Sequence, residues 1–144
     1  MRLPTKDDVT LYTVDEAQAL LPEVARRVGE LREAVEEHRF AQGQVADLEK
    51  RWPEAVQGDG ELAGEHERLK RQVRVARTTI DEHVAWFQAR GIEIKDPLLG
   101  LVDFYAERDD GELVYLCWQD GEEDLVAWHT LTGGFQGRRA LDEL

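Results

Sequence analysis

The chain has 144 residues, of which 31 are acidic and 18 are basic, so its formal net charge is −13. A chain of this length suits one domain, and we expect residues 1–144 to form a single one. A strongly negative surface repels phosphate backbones and anionic lipid headgroups. The charge therefore argues against nucleic acid and against a membrane surface as partners.

Cysteine content and apolar runs bear on the compartment. The chain has one cysteine, Cys117, which cannot form an internal disulfide, as is typical of a reducing compartment. Residues 1–15 contain no long apolar run of the kind found in a signal peptide. No stretch approaches the ~20 apolar residues that cross a bilayer. We therefore expect a cytoplasmic protein.

Capping and breaking residues predict two long helices in the first part of the chain. Thr13 and Glu16 have the spacing of a capping box, in which each side chain binds the backbone amide of the other residue. Pro22 follows about two turns later, so we expect a kink or a restart there, with Pro22 at the first position of the long helix. Residues 53–64 contain three glycines and predict the turn between the helices. Gly91 is the expected C-cap of the second helix.

Apolar residues recur at alternating spacings of three and four along both helices. This seam contains Ala17, Leu21, Val24, Val28, Leu31 and Val35 in the first helix, and Leu62, His66, Leu69, Val73, Ala76, Ile80 and Phe87 in the second. Heptad repeats on two helices joined by a short turn predict an antiparallel, coiled-coil-like hairpin over residues 13–91. His38, His66 and His83 fall on or beside the seam. They are too far apart along the helix axis to converge, and we interpret them as polar residues that fix the register.

Residues 92–144 predict a small antiparallel β-meander and a tail. After Gly91 the apolar period changes to near two, and Asp110-Gly111 and Asp120-Gly121 are hairpin-turn dipeptides. Residues 92–94 form a short extended segment, and residues 132–139 form a glycine-rich loop. The three expected strands are Leu101 to Glu107, Leu113 to Trp118 and Leu125 to His129. The predicted fold class is α+β, a long helical hairpin packed with a three-stranded meander.

The second turn dipeptide determines whether Cys117 and His129 meet. If Asp120-Gly121 is a two-residue turn, Cys117 faces Asp124 and His129 faces Glu112. Cys117 and His129 then point to opposite sheet faces and lie about 17 Å apart at the usual strand rise. This register argues against a metal pair. We accordingly assign no metal-ligating residues and no cofactor, and we expect a buried, inert Cys117.

Asp103 is the most informative acidic residue, because it lies inside an otherwise apolar strand. In the register set by a two-residue turn at Asp110-Gly111, it pairs with Trp118. A carboxylate there needs a partner or a raised pKa, and Lys95 and Arg138 are the candidate partners. A structural ion pair and a catalytic carboxylate both remain open, and no catalytic residue is assigned. The candidate ligand-binding set is Lys95, Asp96, Asp103, Glu122, His129 and Arg138.

Short motifs spread over nearly the whole chain carry a family resemblance. They include Tyr12-Thr13, Glu16-Ala17, Leu20-Leu21-Pro22, Gly91-Ile92, Lys95-Asp96, Gly100-Leu101-Val102-Asp103-Phe104, Val114-Tyr115-Leu116-Cys117-Trp118, Gly121-Glu122, Trp128-His129, Gly134-Phe135 and Gly137-Arg138. With them the chain resembles a family of small bacterial proteins called domain of unknown function 2203. Many members carry Trp-His-Glu, whereas this chain has threonine at position 130. The resemblance implies no particular activity.

Two functional hypotheses follow from these patterns. The first is a noncatalytic interaction or assembly module that forms a homodimer, because the heptads and a sheet predicted to be apolar on both faces need cover from a partner. The second is a small-ligand or metal-binding protein whose polar site lies in the meander and tail. A pocket containing at least three of the six candidate residues would weaken the first hypothesis. Neither hypothesis requires enzymatic activity.

Overall fold

The structure is a computed structural model that describes residues 2–58 and 60–144. The helices and strands are α1 (Val14–Arg51), α2 (Gly60–Ala89), β1 (Ile92–Asp96), β2 (Leu101–Glu107), β3 (Leu113–Gln119), β4 (Ala127–Thr130) and β5 (Arg139–Ala140). The chain divides into two compact units: the residues up to Gly29 together with Val84–Leu144, and Glu30–His83. The single domain expected from chain length stays a prediction.

The α+β class with a helical hairpin is confirmed, but the sheet has five strands rather than three. The strands form an antiparallel meander in the order β1-β2-β3-β4-β5. The predicted short extended segment is β1, which pairs with β2. The tail, expected to be a loop, contributes β5, which pairs with β4. The Trp128 indole also donates a hydrogen bond to the Ala140 carbonyl at 3.1 Å and so fixes the tail strand.

Helix α1 begins at the predicted capping box. Thr13 Oγ1 accepts a hydrogen bond from the Glu16 amide at 3.1 Å, and the Thr13 amide donates to the Glu16 carboxylate at 2.9 Å. The predicted restart at Pro22 is wrong, because one helix of 38 residues runs through it. Leu21 and Val24 are buried on either side of the proline. Their burial offsets the backbone hydrogen bond that proline cannot make.

One face of the sheet packs against the helices to form the core of the first unit. The face is apolar at alternate positions, as expected for a half-covered sheet. The core includes Ala17, Leu21, Val24 and Val28 of α1, Phe87 of α2, and Val102, Phe104, Val114, Leu116, Trp118 and Trp128 of the sheet. Trp128 pairs with Leu116 and so lies on this face. The expectation of two apolar faces is therefore wrong, and the opposite face carries polar side chains.

The second unit contains all three seam histidines, of which His66 and His83 are buried. His66 Nε2 lies 3.7 Å from a Glu49 carboxylate oxygen, and His83 Nε2 lies 3.1 Å from a Glu30 carboxylate oxygen. Each of these two histidines thus has its own acidic neighbour, which agrees with polar residues placed along a helix seam. Within residues 2–58 and 60–144, neither long helix combines the length and apolar character that crossing a membrane requires.

Turns precede and follow α2, and only the second was predicted at the observed residue. The helix begins at Gly60, so the connection between the helices is shorter than the expected segment 53–64. Gly91 follows the end of α2 with a φ of 66°, and its amide donates to the Gln88 carbonyl at 3.1 Å. A left-handed residue at this point is what a helix C-cap requires, and glycine adopts it without strain.

Candidate functional site

The loop between β2 and β3 sets the position of Asp103. The Arg108 amide donates to the Glu112 carbonyl at 2.9 Å, and Gly111 adopts a φ of 88°. The loop therefore has three residues with a left-handed glycine, a common alternative to the two-residue turn. The extra residue shifts the register by one position. Asp103 pairs with Cys117, and the predicted pairing with Trp118 is wrong.

The connection between β3 and β4 is longer than predicted. Gly121 has a φ of 105°, in keeping with a turn at Asp120-Gly121. Strand pairing, however, begins only at Cys117 and Ala127. The Gln18 side chain of α1 accepts a hydrogen bond from the Leu125 amide at 2.8 Å, which ties this connection to the helix. The two-residue register is therefore wrong, and the observed register differs from it by three positions.

The observed register brings Asp103, Cys117 and His129 together. His129 pairs with Tyr115, two residues from Cys117 on the same strand, so their side chains share a sheet face. The predicted placement of Cys117 and His129 on opposite faces about 17 Å apart is wrong. Asp103, Cys117 and His129 each place a donor atom within 4.8 Å of the others. All three residues are 2% exposed.

His129 is the partner of Asp103, in place of the expected Lys95 or Arg138. Its Nε2 lies 3.1 Å from Asp103 Oδ2, and its Nδ1 lies 2.7 Å from the Thr130 carbonyl oxygen. A carboxylate and a carbonyl both accept hydrogen bonds, so an imidazolium that carries both protons satisfies both contacts. Burial lowers the pKa of His129, but the hydrogen bonds to Asp103 and Thr130, with the Asp103 charge, outweigh burial and raise the pKa overall.

The other oxygen of the Asp103 carboxylate is not satisfied. Oδ1 is buried and accepts no hydrogen bond in the described part of the chain. Leaving such an atom without a partner costs about 1–3 kcal/mol. Next to it, burial raises the pKa of the Cys117 thiol to about 12, with the Asp103 charge as the next cause. The predicted burial of Cys117 is confirmed, and at neutral pH its side chain is an uncharged thiol rather than a nucleophilic thiolate.

A polar network extends from this cluster toward the β1 edge of the sheet. Lys95 Nζ bonds to the Glu93 carboxylate, lies 3.2 Å from the Tyr115 hydroxyl and sits 4.4 Å from the centre of the Tyr115 ring. The hydroxyls of Tyr105 and Tyr115 both donate to Glu93. The Tyr115 ring in turn lies 5.3 Å from the His129 ring. Burial raises the pKa of Tyr115 to about 12, so its hydroxyl keeps its proton.

The other three predicted residues have roles outside this cluster. Arg138 Nη2 donates to both Glu122 carboxylate oxygens, at 2.8 and 2.9 Å, and to the Cys117 carbonyl at 3.3 Å. These bonds hold the tail against β3 and the connection that follows it. Asp96 Oδ1 accepts hydrogen bonds from the amides of Leu98 and Leu99, and so shapes the turn between β1 and β2.

A cavity of about 230 Å³ lies beside the buried cluster. Its wall includes Lys95, Asp103 and His129, which are three of the six residues predicted as a binding set. Cys117 and Tyr115 also line it, and Leu101, Leu131 and Phe135 supply an apolar part. A pocket with three candidate residues is the result expected to weaken the assembly hypothesis.

Sequence reasoning missed several residues that the site contains. Cys117 was expected to be buried and inert, and Glu93, Tyr105 and Tyr115 were not among the candidate residues. The two-residue alternation along β2 and β3 places Tyr105 with Asp103 and Tyr115 with Cys117, so part of the signal was present. Whether the β2 pair and the β3 pair lie on the same face depends on the register between the two strands.

A family model described as "Uncharacterized conserved protein (DUF2203)" matches residues 10–141. The match agrees with the resemblance seen in the sequence motifs. Comparisons with curated proteins and with solved structures found no match. Within the matched range, Thr130 supplies its backbone carbonyl to Nδ1 of the neighbouring His129.

Proposed function

We propose that this protein, which belongs to the DUF2203 family, binds a small ligand or ion at the polar face of its sheet. The observation that carries the proposal is the buried Asp103 Oδ1, which accepts no hydrogen bond within the described residues. Native proteins pair nearly all buried polar atoms, often with water, an ion or a ligand. Asp103 also lines the 230 Å³ cavity, from which such a partner can approach.

The cavity wall limits what the ligand can be. Asp103 and His129 offer polar atoms at one part of the wall, while Leu101, Leu131 and Phe135 offer apolar surface. The volume lies below the roughly 300–1,000 Å³ of pockets that hold drug-sized molecules. The ligand is therefore small, and it presents a hydrogen-bond donor or a positive charge to Asp103.

A cavity-filling variant tests this function by thermal shift. Leu131→Trp fills the apolar wall, and Leu99→Trp adds the same bulk at a residue that is 55% exposed. One screen uses small organic molecules with a chelator present, and a second uses metal ions without it. A ligand at about 100 times its Kd stabilises the folded state by roughly 2.7 kcal/mol, which a melting curve resolves.

The expected result is a shift in the wild type that Leu131→Trp loses and Leu99→Trp keeps. Failure of both screens to shift the wild type would refute the proposal. A shift by an organic molecule that Leu131→Trp leaves unchanged would place that ligand elsewhere and would also refute the proposal.

Self-association is the second candidate, because the second unit exposes large apolar residues. Phe40 is 65% exposed and Val75 is 60% exposed, on α1 and α2 respectively. Such residues are compatible with the homodimer predicted from the heptads. Light scattering at micromolar concentration tests this candidate, and a monodisperse monomer would remove it.

A further inference from the structure

We infer that the ligand is a divalent transition-metal ion held by Asp103, Cys117 and His129. This inference rests on the proposed function and names its ligand. It reverses the sequence-based expectation, since the register that separated Cys117 from His129 is not the one observed. Three buried residues with oxygen, sulfur and nitrogen donors now face one another.

The spacing of the donor atoms suits a metal ion after small adjustments. In tetrahedral zinc sites, bond lengths of about 2.0–2.3 Å place neighbouring donors roughly 3.3–3.8 Å apart. The Nε2 of His129 and Oδ2 of Asp103 are 3.1 Å apart, so this pair would separate slightly, and all three donors lie within 4.8 Å of one another. A shift of roughly 1 Å in the most distant pair is enough to reach bonding geometry.

His129 has the orientation of a metal-bound histidine. Its Nδ1 donates to the Thr130 carbonyl, and this contact directs Nε2 at Asp103. Histidines that bind metals usually donate their second ring N–H to a carbonyl or carboxylate, which fixes the tautomer that leaves the other nitrogen free. The backbone of β4 therefore supplies the supporting hydrogen bond.

The donor set and its charge indicate the class of ion. Binding breaks the S–H bond of Cys117 and the Nε2–H bond of the His129 imidazolium, and both protons pass to the buffer. The thiolate and the Asp103 carboxylate then balance the two positive charges, and the imidazole is neutral. Mixed sulfur, nitrogen and oxygen ligands suit Zn²⁺ and Co²⁺, whereas Mg²⁺ and Ca²⁺ prefer oxygen alone.

The site has three protein ligands, so a fourth position faces the cavity. The described residues place no fourth His, Cys, Asp or Glu donor in the cluster. Structural zinc sites are closed by four protein ligands, whereas sites that exchange a ligand keep one position for water or a small molecule. Because Asp103, Cys117 and His129 all line the cavity, its volume is available to that fourth ligand.

Titration with Co²⁺ tests the site in protein purified without a histidine tag and treated with a chelator. A Co²⁺–thiolate bond produces a charge-transfer absorption band, which reports directly on Cys117. Cys117→Ala removes the sulfur, and His129→Gln removes the nitrogen. His83→Gln is the matched control, because His83 is also buried beside a carboxylate but lies in the second unit. Zn²⁺ produces no such absorption band, so the affinity for Zn²⁺ is measured from its displacement of bound Co²⁺.

The expected result is one Co²⁺ per chain with a thiolate band that Zn²⁺ displaces. The band is absent in Cys117→Ala. In His129→Gln the affinity for Co²⁺ falls by more than roughly 10–100-fold, which is the loss typical when a metal ligand only loses its hydrogen-bond partner. His83→Gln binds as the wild type does.

Two outcomes would overturn the inference: no Co²⁺ binding by the wild type, or binding that Cys117→Ala leaves intact. Far-ultraviolet circular dichroism verifies that each variant folds. If His129→Gln does not fold, Cys117→Ala alone still decides the test. An organic ligand that binds in the presence of chelator while Co²⁺ does not bind would preserve the proposed function and reject the metal.

Discussion

Replacing His129 by leucine should destabilise the metal-free protein through the carboxylate that it leaves behind. In the folded protein Asp103 Oδ2 bonds to His129 Nε2 at 3.1 Å, and Oδ1 accepts no hydrogen bond from the described residues. His129→Leu keeps the side-chain volume similar but removes this hydrogen bond. The carboxylate is then 2% exposed without a partner.

The size of the effect follows from the burial of both groups. Breaking a buried ion pair by removing one member costs about 3–5 kcal/mol, because the remaining charge is uncompensated. Replacing both members with apolar residues costs much less and is often neutral. The double variant Asp103→Leu with His129→Leu should therefore be more stable than His129→Leu alone, although it carries one more substitution.

Urea denaturation with tryptophan fluorescence measures these free energies of unfolding. The experiment is done at pH 6 with a chelator present, so that a metal ion contributes nothing. The double-mutant cycle of wild type, two single variants and the double variant isolates the coupling between the two residues. If His129→Leu costs less than about 1 kcal/mol, or if the two substitutions add independently, the buried ion pair described here is wrong.

Three further predictions concern the same unit. The pKa of His129 is raised in the folded protein. The stabilisation from its protonated form is therefore complete below about pH 6.5, the pKa in the unfolded chain, and is lost as pH rises through the folded pKa. Urea midpoints at pH 6 and pH 9 should accordingly differ more in the wild type than in His129→Leu. Burial raises the pKa of Cys117 to about 12, so Ellman's reagent at pH 8 should modify the thiol in urea but not in the native protein, and rapid native labelling would contradict its burial. Arg138→Met removes the bonds to Glu122 and should cost about 1 kcal/mol after allowance for partial exposure, with faster proteolysis of the tail; an unchanged cleavage rate would show that the tail is held by other contacts.

The sequence predicted local structure well because its signals are local. The bounds of β2 match the prediction, and those of β3 differ by one residue. Alternation of apolar residues depends on the strand's own repeat. The capping box at Thr13 is likewise contained within four residues. The restart at Pro22 was wrong because burial across that region, which depends on the sheet, outweighs the local effect of proline.

Strand register was not predictable from the same local signals. An Asp-Gly dipeptide is compatible with loops of two or three residues, and the first loop has three. In the second connection, Gln18 binds the Leu125 amide from a helix at the other end of the chain. No pattern within the meander contains that contact, so a two-residue turn was the simplest local interpretation.

The two register errors explain which part of the site was anticipated. The β2–β3 register was wrong by one position and the β3–β4 register by three. Each odd shift moves the paired residues to the opposite face of β3. Because β2 and β4 both shift relative to β3, Asp103 and His129 share a face in both the predicted and the observed sheet. Cys117 on β3 was predicted to lie on the opposite face and is observed on the same face as Asp103 and His129.

This cancellation shows what a buried polar residue in a sequence can establish. An aspartate inside an apolar strand requires a partner, because an unpaired carboxylate is too costly to bury, and that requirement holds in any register. The identity of the partner depends on contacts between distant strands. The expected partners of Asp103 were Lys95 and Arg138, in a structural ion pair. With His129 as the partner and Cys117 beside it, the site is instead a set of three donors with the chemistry of a metal site.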